Sequence, residues 1–257
     1  MPNEWVGPVV SVHGLTRAFG SGEAQVKALA GVDLEVAAGE LVAVMGPSGS
    51  GKTTLLSLAG GLDAPTAGEV VVEGVRLADL SRRALARLRR TSIGYVFQDY
   101  NLIPALTAAE NVALPLELDG MGARRAGKLA EQALAEVGLD GLAGRFPEEM
   151  SGGQRQRTAI ARALIGERRL MLADEPTGAL DSQTSEAVMR LLRARCDAGA
   201  AGILVTHEPR FAAYADRTVY LRDGRVVGSV GSTGAATGLE RDALSTAVGG
   251  AAGQGEE

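Results

Sequence analysis

The nine residues Gly46-Pro47-Ser48-Gly49-Ser50-Gly51-Lys52-Thr53-Thr54 limit the possible folds of this chain more than any other stretch. Gly46 and Gly51 are separated by four residues and run straight into a lysine and a hydroxyl residue, the spacing of a phosphate-binding loop. The apolar run Leu41 to Met45 stops at Gly46, and Thr53 to Leu58 resumes with a helix-compatible pattern, so the loop is expected between a strand and a helix. Glycines at 46, 49 and 51 allow positive φ and close backbone approach, so that successive N–H groups converge on a polyphosphate at a helix N-terminus. Lys52 adds a mobile charge for the β- and γ-phosphates, and the Thr53 hydroxyl can hold Mg²⁺. A nucleotide site is the reading these residues favour.

Strand and helix patterns alternate on both sides of this loop. Val9 to Val12 and Gly31 to Val36 read as strands, the second alternating apolar and polar. Phe19, between them, reads by itself as a core or strand residue. Gly60-Gly61 ends the helix after the loop, and Glu69 to Val75 reads as a strand with a turn. Ser81 to Arg90 is an arginine-rich helix; its apolar positions Ala84, Leu85 and Leu88 favour an ordinary amphipathic surface helix over a nucleic-acid contact. Prolines and glycines break up residues 99–149, where Arg124 to Val137 is the clearest amphipathic helix, and this segment reads as a helical insert. A long helix is expected over Ser151 to Arg169, followed by strands at Leu170 to Ala173 and Ile203 to Thr206 with a helix, Ser182 to Cys196, between them. Such alternation predicts an α/β fold with a mostly parallel sheet covered on both faces. Thr218 to Val227 reads as a hairpin turning at Asp223-Gly224, and residues 234–257 as a flexible tail.

Apolar strands that end in polar residues locate the chemistry. Ile93 to Phe97 runs into Gln98, Leu170 to Ala173 into Asp174-Glu175, and Ile203 to Thr206 into His207. In an open parallel sheet, ligands bind beyond the carboxyl ends of the strands, so these groups should share one edge with the phosphates. Asp174 can complete the Mg²⁺ shell opposite Thr53, and Glu175 can orient or deprotonate an attacking water. Gln98 can bind the metal or that water, and His207 can contact the γ-phosphate. Ser151-Gly152-Gly153-Gln154 forms a second anion site at a helix N-terminus, which a single nucleotide does not need.

Composition narrows the class. A net charge of −5 argues against a general nucleic-acid binder, and a single cysteine, Cys196, forbids an internal disulfide. The N-terminus shows no secretory signal, and no apolar run approaches the length of a membrane span, so a membrane role would need a partner.

Taken together, the motifs resemble those of the ATP-binding subunits of ABC transporters. The phosphate loop, Gln98, the signature Ser151 to Gln154, the acidic pair Asp174-Glu175, Ala179-Leu180-Asp181 and His207 stand in family order across residues 9 to about 230. Val26-Lys27-Ala28-Leu29, Ala173 to Asp181 and Thr206-His207-Glu208 resemble the macrolide- and lipoprotein-exporter branch, whose relatives also serve antimicrobial-peptide efflux and cell-wall signalling. The resemblance implies a P-loop NTPase: a mostly parallel core, an N-terminal antiparallel β subdomain, and an α-helical insert carrying the signature. It implies a domain over 9–233 with a helical subdomain at about 99–165, after an N-terminal extension of residues 1–8. It also implies ATP and Mg²⁺ as cofactors, a homodimer or heterodimer packed head to tail, and a separate integral-membrane permease docked at the cytoplasmic face of the membrane. In such a dimer, Ser151 to Gln154 and Asp181 of one subunit act on the nucleotide of the other, and Phe19 stacks on adenine. Met150, Thr53 and Phe19 replace the family's usual Leu, Ser and Tyr and keep apolar character, hydroxyl and ring respectively. Soluble ABC ATPases acting on DNA or ribosomes are less consistent with one cassette and no coiled coil. A mechanical or signalling ABC protein is the nearer alternative.

Overall fold

The computed structural model describes Trp5 and residues 7–231, so the expected tail at 234–257 and part of the 1–8 extension lie outside the described residues. Two sheets are present. The first is four-stranded and antiparallel, in the order β2-β1-β4-β5, from β1 (Val10–Phe19), β2 (Val26–Val36), β4 (Ala67–Val72) and β5 (Val75–Arg76). The second is six-stranded, in the order β10-β9-β3-β8-β7-β6. It comprises β3 (Leu41–Met45), β6 (Ile93–Val96), β7 (Leu170–Asp174), β8 (Ala201–Val205), β9 (Arg217–Arg222) and β10 (Arg225–Gly231), with only β10 antiparallel to its neighbour. Asp223 and Gly224, both at positive φ, make the β9–β10 turn where the Asp-Gly pair predicts it.

The central strands are buried on both faces, which explains their unbroken apolar runs. Val42, Val44, Leu170, Leu172, Ile203 and Val205 join α1 (Lys52–Ala59) and the antiparallel sheet in one core. Their neighbours Leu41, Ala43, Met171, Ala173 and Leu204 face the opposite way. That second core takes in α6 (Ser182–Asp197), α7 (Pro209–Ala212) and the helical insert. Each buried leucine contributes about 2 kcal/mol to such cores.

The insert consists of α3 (Ala108–Leu118), α4 (Ala123–Glu136) and α5 (Gly152–Leu164), with the arginine-rich α2 (Arg82–Thr91) preceding β6. Thr107-Glu110 and Ser151-Gln154 form capping boxes that fix where α3 and α5 begin. Helix α5 is shorter than the expected Ser151 to Arg169: Ile165 is extended and Gly166 takes φ 80°, so the helix stops and the chain turns back into β7. Of the two readings of Phe19 by itself, core or strand, the second holds: it is the last residue of β1 and lies outside the core. It is 45% exposed at the end of β1, with the Arg17 guanidinium 4.7 Å above its ring. Among the described residues, no helix is long and apolar enough to cross a membrane.

Candidate active site

The tips of β3, β6, β7 and β8 open into a cavity of about 840 Å³. Gly46, Ser48, Gly49, Gly51, Lys52, Thr53 and Thr54 form one wall, and Gln98, Asp174, Glu175 and His207 reach it from the other strand ends. Sheet order explains the convergence, because β3 lies beside β8, β8 beside β7, and β7 beside β6.

Two glycines of the loop have reasons that sequence reasoning did not supply. A Cβ at Gly46 would lie 2.0 Å from the Leu221 carbonyl oxygen, and one at Gly51 2.3 Å from that of Ala28. Close approach to neighbouring strands therefore demands glycine there, whereas Gly49, at φ 77°, has open space where a Cβ would stand. Pro47 and Ser50 belong to the loop without lining the cavity; Ser50 is buried and the Pro47 carbonyl accepts from Lys52 Nζ at 2.9 Å. Lys52 Nζ also donates to the Gly46 carbonyl at 2.8 Å, so the ammonium is folded across the loop mouth.

Asp174, 2% exposed, has its carboxyl pushed up by burial, with opposing contributions from a hydrogen bond to Thr53 and the Lys52 charge. Glu175 sits at φ 48°, a sparsely populated conformation for a residue with a side chain, and its N–H donates to the Val205 carbonyl at 3.0 Å. Its carboxylate meets His207 Nδ1 at 2.9 Å. The hydrogen bond and charge of Glu175 raise the pKa of His207, which is otherwise 69% exposed. Thr53, Asp174 and Gln98 offer the hard oxygen donors that suit Mg²⁺, which takes few protein ligands and completes its shell with water and phosphate. No cluster of three His, Cys, Asp or Glu is present among the described residues, so a softer, protein-caged metal does not fit.

Phe19, Ser151, Gly152, Gly153, Gln154 and Asp181 do not line this cavity. Ser151 Oγ accepts from Gln154 N at 3.2 Å, and Gln154 Oε1 accepts from Ser151 N at 2.8 Å. Asp181 caps α6 by accepting from Thr184 N at 2.9 Å, a bond that holds its carboxyl below the usual range. A Cβ on Gly153 would lie 3.2 Å from the Ala179 carbonyl, so the signature packs against the loop that leads to Asp181. Sequence reasoning missed Asp99, Tyr100 and Gln156 on the cavity wall. Only the adjacency of Asp99 and Tyr100 to Gln98 signalled the first two.

Comparison with known proteins follows the same lines. A family model described as ABC transporter matches residues 29–178. The "Macrolide export ATP-binding/permease protein MacB" of Marinobacter nauticus is 46% identical over 225 residues, 88% of this chain and 35% of that protein. The chain therefore spans about a third of the length of such macrolide-export relatives. The "Uncharacterized ABC transporter ATP-binding protein YknY" of Bacillus subtilis is 43% identical over 219 residues, 85% of this chain and 95% of that one. Among solved structures, the dimeric post-hydrolysis state of the ATP-binding cassette MJ0796 bound to ADP and Pi superposes with a TM-score of 0.84. It is 42% identical and covers 88% of this chain and all of that one.

Proposed function

The chain belongs to the ABC transporter family, and from that premise we propose that it is an ATP-hydrolysing subunit that powers a membrane exporter of the macrolide and lipoprotein branch. The observation that carries the proposal is the convergence of Lys52, Thr53, Gln98, Asp174, Glu175 and His207 on one cavity at the strand tips. Lys52 would leave the loop carbonyls for the β- and γ-phosphates, and Thr53, Asp174 and Gln98 would hold Mg²⁺. Bound Mg²⁺ supplies charge neutralisation at the phosphates. Glu175 accepts a proton from the attacking water, and His207 holds the Glu175 carboxylate while its other ring nitrogen is available to the γ-phosphate.

Ser151, Gly152, Gly153, Gln154 and Asp181 lie off the cavity, which supports a head-to-tail dimer in which they act on the partner's nucleotide. Phe19, exposed beside Val26 across the strand pair, is available to stack on adenine. The permease would dock on a largely apolar groove of about 350 Å³ between α2, β6 and α3. Leu62, Leu114 and Leu118 line it, with Arg89 and Arg90 at its side. The insert contributes α3 and part of α5 to this groove. Tyr100, at its start, instead faces the nucleotide cavity, and Leu116 packs into the helical core.

Two substitutions test the reading. Lys52→Ala should weaken binding of a fluorescent ATP analogue by about tenfold or more. Glu175→Gln should keep that binding, abolish turnover and accumulate an ATP-loaded dimer. Unchanged affinity in the first variant would remove the loop as the nucleotide site, and wild-type turnover in the second would remove Glu175 as the base.

A further inference from the structure

Helix α5 reaches the nucleotide cavity through Gln156, a residue that no step above uses. It is 1% exposed, and its amide Nε2 has no hydrogen-bond partner among the described residues. Leaving a buried amide N–H without an acceptor costs about 1–3 kcal/mol, so the side chain is paired in some other state of the molecule or the chain carries that cost throughout.

Helix α5, which carries Gln156, is held from several sides. Gly152 and Gln156, four residues apart, share a helix face, and a Cβ on Gly152 would lie 3.5 Å from Tyr100 Oη. Farther along the helix, α5 presses on β6 so closely that a Cβ on Gly94 would lie 2.1 Å from the Ala163 carbonyl oxygen. Arg162 donates to the Tyr100 carbonyl at 2.7 Å and to that of Asn101 at 2.5 Å. Those two residues sit at φ 60° and 48°, so the guanidinium holds the backbone after Gln98 in a conformation it would not choose alone. Helix α5 and the segment after Gln98 are thereby locked together, with Gln156 at the cavity edge.

Among the side chains that line the same cavity, the Gln98 amide and the Asp99 carboxylate make no hydrogen bond or ion pair among the described residues. From this geometry we infer that Gln156 is a positioning residue for Gln98, its Nε2 donating to the Gln98 amide oxygen when nucleotide is bound. An amide oxygen has two lone pairs, so one accepts from Gln156 while the other remains for Mg²⁺. By engaging one lone pair of that oxygen, Gln156 favours the Gln98 orientation that presents oxygen to the metal, in the way that outer hydrogen-bond partners orient metal ligands. The inference rests on the nucleotide-site reading above and adds a role for the subunit's own signature helix.

Gln156→Leu and Gln156→Met remove the donor at similar volume. Because they replace an unpaired amide, thermal unfolding of the nucleotide-free protein should occur at or above the wild-type temperature. Binding of a fluorescent ATP analogue in EDTA should stay within about twofold of wild type, because no metal is then engaged. Mn²⁺ affinity of the ATP-loaded protein, read by electron paramagnetic resonance, should fall about tenfold. In a Gln98→Ala background the same substitution should cause no further loss. Wild-type Mn²⁺ affinity in both variants, full additivity with Gln98→Ala, or non-additivity with Asp99→Ala in its place would each overturn the inference. Failure of the nucleotide-site reading would show separately, as unchanged ATP binding by Lys52→Ala.

Discussion

His207 and Glu175 meet at the cavity edge, imidazole Nδ1 2.9 Å from carboxylate Oε1, although 32 residues of chain separate them. The carboxylate favours the imidazolium, so His207 should titrate above the ordinary histidine value of about 6.5. Any stability this pair contributes is present in full below that value and is lost as pH rises through the folded-state pKa. Only two histidines are present in the chain, so a nuclear magnetic resonance titration resolves His207 directly. In Glu175→Gln the midpoint should fall back toward 6.5. A midpoint that stays put would mean the contact does not form in solution.

Asp174 carries an electrostatic cost in the nucleotide-free protein. Burial raises its pKa, so the stability associated with its neutral form is present below the unfolded value and lost as pH climbs through the folded one. At neutral pH the ionised group opposes folding. Asp174→Asn should therefore raise the Tm of the empty protein while removing Mg²⁺-dependent hydrolysis. Calorimetry without nucleotide checks the sign, and a fall in Tm would show that the carboxylate is better compensated than its burial suggests.

The separation of the signature from the cavity predicts complementation between subunits. Lys52→Ala and Ser151→Arg chains mixed at equal ratio should form some dimers with one intact composite site. Those heterodimers should occlude one ATP, whereas either variant alone occludes none. Occlusion measured on differentially labelled, purified heterodimers decides the point; none in the mixture would sink the trans arrangement.

Leu118 is 63% exposed at the rim of the groove assigned to the permease. Leu118→Glu should leave ATP binding by the isolated subunit unchanged and abolish its recovery with membranes that contain the permease. Wild-type recovery would place the dock elsewhere.

Much of the site was legible because β3, β6, β7 and β8 are doubly buried. An apolar run that ends abruptly in a polar residue marks the sheet edge, and Gln98, Asp174, Glu175 and His207 all stand there. Gln156 gave no such sign: in Gly-Gly-Gln-Arg-Gln-Arg every position after the glycines is polar, and only the tertiary placement of α5 buries one of them. Phe19 by its own pattern was readable only as a core or strand residue; an aromatic residue on a strand usually faces the core, whereas this one stands exposed at a strand end beneath Arg17, and only the family resemblance pointed it toward adenine. The apolar groove could not be read from sequence because it draws on the turn after α1, on α2, β6, α3 and α5 together.

The pairing of β3 bears on how the protein is made. The strand that carries the phosphate loop emerges from the ribosome well before its two sheet partners, β8 and β9, with Val42 opposite both Ile203 and Arg217. Until those later strands are synthesised, β3 has two unpaired edges and Gly46 lacks the Leu221 carbonyl it packs beneath. Until β8 and β9 are made, the nascent phosphate loop therefore lacks the sheet that positions it, and the apolar strands exposed meanwhile invite chaperones or aggregation. The nucleotide can stabilise this domain only after nearly all of the described chain has been released.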